Sequence, residues 1–247
     1  VVRALQVAAS GTVVNGGVLI SNQLSGLTTI GAQGEARIGA SSGSFENQGR
    51  LVADGDNITI QGTYHQTAGA ELAYRVGAPV TISGATTIDG GDVHVLGVKS
   101  GYTWQAQERV LFAMAGYTGR FDALTAAPGV FLQASLRYEP LLGVLDITRL
   151  DVTAAAQSMG LSAASVGSAE RVEGAFDQID QGGQSAVDGE FLGAAGAIQQ
   201  TASAAAAERT LSSLSGELHT ADTDFALMAI EGNRRALESR VDALQHA

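Results

Sequence analysis

A mainly β fold, a right-handed parallel β-helix closed by an antiparallel hairpin cap and followed by α-helices, is what this sequence predicts. Three observations carry the expectation. Residues 1–100 hold a glycine-punctuated repeat of 20–22 residues. Seven of the thirteen aromatic residues fall between Tyr102 and Tyr138. The last 97 residues have no Pro, include 22 Ala, and show apolar spacings of three and four.

The repeat is visible by self-comparison. TIQGTYHQTAGAELAYRV (59–76) aligns without gaps on TISGATTIDGGDVHVLGV (81–98), with identities at Thr59 and Thr81, Ile60 and Ile82, Gly62 and Gly84, Gly69 and Gly91, and Val76 and Val98. FENQGRLVADG (45–55) fits the same pattern at a shift near 20. Period-two runs such as Leu72, Tyr74, Val76 read as strands, and Gly, Asn and Asp clusters between them read as turns. Two or three short strands per unit suit one coil of a β-solenoid. A leucine-rich repeat would need a Leu framework that is missing, and a sandwich would not explain the glycine register.

Residues 101–150 read as the cap. In FLQASLRY, Leu132, Ala134, Leu136 and Tyr138 point one way and Gln133, Ser135 and Arg137 the other, as in a half-buried strand. Arg109–Ala113, Arg120–Leu124 and the alternation at Leu145 and Ile147 give further strands, expected as antiparallel hairpins over the last coil. The exposed end of a solenoid is an aggregation template unless covered, and each buried aromatic removes ~150–250 Å² from water. The expected cap residues are therefore Tyr102, Trp104, Phe112, Tyr117, Phe121, Phe131, Leu132 and Tyr138.

Residues 151–247 read as helical. Val172, Phe176 and Ile179 share a face, as do Leu211, Leu214 and Leu218. After Asp222, a candidate N-cap, Leu227, Ile230, Arg234, Leu237, Val241 and Leu244 form a stripe over about 24 residues, roughly 36 Å of helix. The net charge of −11 is uneven: residues 1–150 carry −2 and residues 151–247 carry −9. With a net charge of −11, and one Lys against thirteen Arg, nucleic-acid binding is not expected. The absence of Cys removes disulfides and thiolate metal sites. The chain starts at Val1 with no signal-peptide pattern, so we expect a portion of a longer polypeptide.

Catalytic and metal-binding patterns are weak, and neither a cofactor nor a metal is expected. GASSG (39–43) satisfies G-x-S-x-G, but no strand-turn-helix context surrounds Ser41, which reads as a turn residue between coils. His65, His94, His219 and His246 have no ligand spacing, and DGDN (54–57) reads as a turn.

At the cap the sequence resembles a family. The order G-Y-T…LF-A…G-x-F-x-A-L…F-L-x-x-L-x-Y…G-V-L-D-I-T-R resembles the C-terminal junction, or autochaperone region, of bacterial autotransporter passengers, whose usual form runs close to Y-T-L-L-x-A…G-x-F…L…L-x-Y…V-x-L-T-x-x-R. Trp104 and Phe112 stand where aliphatic residues are usual. LSGELH (214–219), followed by an amphipathic helix, is similar to the segment preceding the translocator barrel, most familiar from subtilisin-like serine protease autotransporters. The resemblance implies solenoid coils in 1–100, an autochaperone-like cap in 101–150 and a linker in 151–247, with the stripe Leu227 to Leu244 threading the barrel pore. It further implies as partners the protein's own C-terminal barrel and the outer-membrane assembly machinery, a location at the bacterial surface or outside the cell, and a non-catalytic secretion role. A parent serine protease with its catalytic domain upstream, and an adhesin that meets a host surface, are the alternatives.

Overall fold

From Gly17 to Ala126 each strand stacks in parallel on the strand one turn earlier, in three columns. The computed structural model describes residues 1–215 apart from 56, 99, 100, 127 and 128. Its chain forms two units, residues 1–150 with 179–203, and residues 151–178 with those from 204 on.

The first unit is a parallel β-solenoid of about five turns. β1 (Val2–Val14) and β2 (Gly17–Ile30) are long strands that bend around the corners. Later turns break into short pieces: β3 (Gly34–Ser42) and β4 (Phe45–Asn47); β5 (Arg50–Ala53), β6 (Ile58–Gln61) and β7 (Tyr64–Gln66); β8 (Glu71–Arg75), β9 (Val80–Ile82) and β10 (Thr86–Ile88). One column runs β1-β2-β3-β5-β8, a second β1-β2-β3-β6-β9, and a third β1-β2-β4-β7-β10, all parallel.

Alternation decides which residues face inward. Leu19, Ala36, Leu51, Leu72 and Val93 stack in the first column, and Leu24, Ser41, Ile60 and Ile82 in the second. All of them are buried. Phe45 and Tyr64 stack in the third column with ring centroids 6.1 Å apart. Ser41 is thus a buried strand residue and not a turn residue, because column register, not its flanking glycines, sets its environment.

The 22-residue repeat has a structural basis. Thr59 pairs with Thr81, and Ile60 with Ile82. Gly43, Gly62 and Gly84 stack at one corner, where a Cβ on Gly62 would lie 1.9 Å from the Gly43 carbonyl oxygen. Backbone fills the space a side chain would need, which explains the identity at 62 and 84. The register then slips by one, since Glu71 pairs with Asp92.

The next turn corrects the expectation for 101–150. β11 (Asp92–Gly97), β12 (Gln105–Ala113), β13 (Tyr117–Gly119) and β14 (Ala123–Ala126) continue the solenoid in parallel, on β8, β9, β10 and β11 respectively. Only β15 (Leu132–Tyr138) and β16 (Leu142–Arg149) form an antiparallel hairpin, with β16 also antiparallel to β12. Here the turn lengthens, Tyr117 pairing with Thr86, 31 positions upstream. A partner so distant leaves no local periodicity to read.

Among the described residues four α-helices follow: α1 (Val152–Ser158), α2 (Ala163–Gly182), α3 (Gly189–Gln199) and α4 (Ala204–Ser213). The Asp151 side chain caps α1 by accepting from the Ala154 N–H at 2.7 Å. Val172, Phe176 and Ile179 are buried, as is Leu211. Leu214 lies past the end of α4 and is 48% exposed. In the second unit, the Ser162 hydroxyl and N–H donate to the Glu208 carboxylate at 2.6 and 3.0 Å. Those bonds hold its pKa below the usual carboxylate range. Asp222 and the stripe Leu227, Ile230, Arg234, Leu237, Val241 and Leu244 lie outside the described residues.

The segment 179–203 departs from the sequence boundary at Leu150. It belongs to the β unit. The physical reason is polar: Gln199, the last residue of α3, is fully buried and pairs with the backbone of Thr103.

Candidate functional site

The candidate site is the covered end of the solenoid. Its hairpin turns inward the set that the alternation of FLQASLRY predicts: Leu132, Ala134, Leu136 and Tyr138 are half-buried and pack on the core cluster that contains Phe121, Leu145 and Ile147. Tyr117 joins them, its ring centroid 6.3 Å from that of Tyr138. The Tyr117 hydroxyl donates to the Glu139 carbonyl at 2.7 Å, and the Phe121 N–H donates to the Tyr138 hydroxyl at 3.1 Å. Burial raises both phenol pKa values. The Arg120 guanidinium carbon sits 5.2 Å from the Tyr138 ring centroid, within cation–π range. Arg137 binds Glu139 and Asp146 across the hairpin, and its pKa is raised by those hydrogen bonds.

Two expected cap residues do not plug the end. Trp104 is 54% exposed. Phe112 is half-buried on the outer face, pairing with Thr81 and Leu142, while its neighbours Leu111 and Ala113 take the inward positions. Strand alternation overrides aromatic character there. Tyr102, Phe121 and Phe131 are buried.

The remaining contacts come from the strap, residues 179–203. Asp180 accepts from the Tyr102 hydroxyl at 2.8 Å and from Arg149 Nε at 2.7 Å. The Arg149 and Asp180 side chains are each only 12% exposed. Gln199 accepts from the Thr103 N–H at 2.7 Å and donates to its carbonyl at 2.8 Å, and the Val130 N–H donates to the Thr201 carbonyl at 2.9 Å. Gly196 meets Gly101 so closely that a Cβ would lie 2.1 Å from the Gly101 oxygen. Sequence reasoning missed Asp180, Gly196 and Gln199. A faint signal existed: Gly196 and Gln199 share a helix face, and Gly in an Ala-rich helix costs about 1 kcal/mol relative to Ala unless close packing requires it.

On the outer face of the first column, Arg50 Nε lies 2.6 Å from Glu71 and Arg50 Nη1 3.4 Å from Glu35, while Asp54 takes Arg75 and Arg37. His65 Nε2 is 2.7 Å from Asp89 and Nδ1 is 3.8 Å from Glu46, while His94 Nδ1 is 3.0 Å from the Thr125 hydroxyl. His219 and His246 lie outside the described residues. Among the described residues, no group of three or more His, Asp or Glu side chains is placed to hold a metal ion. A cavity of about 280 Å³ beside the hairpin is lined by Arg75, Val95, Gly97, Leu132, Ile147 and Gln200 among others, and Arg75 is already paired with Asp54.

The chain matches no protein-family profile, no curated protein and no solved structure.

Proposed function

We propose that this chain is the passenger end and pre-barrel segment of a bacterial autotransporter, and that its capped end is the template on which the β-helix folds during export to the cell surface. The observation that carries this reading is the β15–β16 hairpin. It reverses strand direction on β12 and covers the apolar end of a stack whose successive turns otherwise pair only in parallel.

A solenoid turn cannot bury its apolar face alone. The cap supplies the first partner, β12 supplies the next ladder, and each arriving turn buries residues such as Val80, Ile82 and Ile60 against the one before. Full burial of one such side chain is worth about 1.5–3 kcal/mol. A folded turn therefore resists backsliding, and export needs no ATP. The sequence resemblance at the cap and at LSGELH points the same way, with the chain's own barrel and the outer-membrane assembly machinery as partners.

The test joins the chain to a translocator barrel and compares it with a form lacking residues 132–149. Loss of surface display and of protease resistance in 17–91 is the expected result. Equal display and equal resistance would sink the proposal.

A further inference from the structure

The strap spends several buried polar contacts on a cap that already has an apolar seal. Tyr102 and Arg149 converge on the two oxygens of Asp180, and Gln199 uses both its donor and its acceptor on Thr103, with no exposure to solvent. Thr201 and the carbonyl of Gln199 meet the loop ahead of β15, where a Cβ on Gly129 would lie 2.0 Å from that carbonyl oxygen. The strap thus touches both chain entries to the cap: residues 101–103, which lead into β12, and residues 129–130, which lead into β15.

These entries hold what β12 and β15 need for pairing with β16. β16 lies between the other two strands and is antiparallel to both. Arg149, at the end of β16, donates its N–H to the Trp104 carbonyl, while the Leu150 N–H donates to the Phe131 carbonyl. One edge of the three-stranded sheet is thereby gathered around Asp180 and Gln199. Without the strap the Arg149 guanidinium loses Asp180 and the Thr103 backbone loses Gln199, so a closed cap is less stable until the strap docks.

We infer that residues 179–203 are a clasp within the folding nucleus, with Asp180 and Gln199 as its positioning residues, so that the cap becomes a template only after the clasp has docked. The inference rests on the template reading and assigns to that site a second segment, 30 residues beyond the hairpin.

The test is refolding and unfolding kinetics of the whole chain carrying Asp180→Asn, Gln199→Ala or Gly196→Ala, with Leu24→Ala as the comparison. Leu24 is fully buried in β2, several turns away. Contacts formed in the transition state slow folding when removed, and contacts formed later speed unfolding. The clasp variants are expected to refold about tenfold slower with little change in unfolding rate, giving φ above about 0.5. Leu24→Ala is expected to unfold faster with its refolding rate kept. Clasp variants that behave like Leu24→Ala overturn the inference, even if they are destabilised. These rates need no membrane. Their failure removes the clasp and leaves the export assay standing, whereas failed display leaves the rates untouched.

Discussion

Asn47 and Gln66 are adjacent rungs of one column, both fully buried, with Asn47 Nδ2 donating to Gln66 Oε1 at 3.3 Å. Tyr64 donates to the same Gln66 oxygen at 2.6 Å, and Asn47 also serves the Glu71 carbonyl and the Gly49 N–H. A polar ladder in an apolar interior stays because every member is satisfied. Replacing one member orphans the other. Asn47→Leu and Gln66→Leu should each destabilise by about 1–3 kcal/mol, and the double variant by less than their sum. Chemical denaturation of all four proteins checks the coupling.

Corner glycines should divide by space. Gly62→Ala brings a Cβ to 1.9 Å from backbone, whereas Gly69 has nothing within 4 Å. Overpacking should cost Gly62→Ala about 1–3 kcal/mol or more. Gly69→Ala should be neutral or stabilise by up to about 1 kcal/mol by restricting the unfolded chain. Melting temperatures of the two variants should move in opposite directions, or only the first should move.

Trp104 is the single tryptophan and 54% exposed. Its fluorescence should be red-shifted in the native protein and fully open to a water-soluble quencher. Trp104→Ala should change stability by less than about 0.5 kcal/mol, as at other exposed surface sites.

Alkaline unfolding should follow the interior tyrosines. Burial pushes the Tyr74 pKa up to about 12, and it pushes Tyr64 higher still. A folded-state pKa above the unfolded value near 10 leaves stability whole below pH 10 and drains it as pH rises toward 12. Tyr74 also donates to the Arg109 carbonyl and accepts from the Gly77 N–H, both at 3.0 Å. Tyr74→Phe should lower stability at neutral pH and flatten the alkaline limb. Tyrosinate absorbance against pH reports both effects.

Acid should act on the helical unit through Glu208. Hydrogen bonds from Ser162 depress its folded pKa, so the stabilisation is present above the unfolded value near 4.3 and is lost as pH falls through the folded one. Glu208→Gln should weaken the pH dependence of helix loss in that window, measured by circular dichroism. Ser162→Ala should do the same.

Much of the β region was legible. Gly62 and Gly84 announced the turn length because backbone contact forbids a side chain, and the FLQASLRY alternation named the inward set of β15. Phe112 and Trp104 misled, since aromatic character says nothing of which face a residue occupies. The strands from Gln105 to Ala126 read as hairpins because their parallel partners lie about 31 positions upstream, beyond any local pattern.

By itself the sequence determined the repeat, its glycine corners, the inward stripe of the hairpin and the change to helix after Leu150. These depend on backbone sterics and on periodicities of two and about 3.6, which are local. Only the tertiary structure decided that an extra parallel turn precedes the cap and that residues 179–203 return to it. Asp180 reaches Tyr102 across 78 positions, and Gln199 reaches Thr103 across 96. Those pairings follow from three-dimensional closure and from the need to satisfy buried polar groups, neither of which leaves a period in the chain.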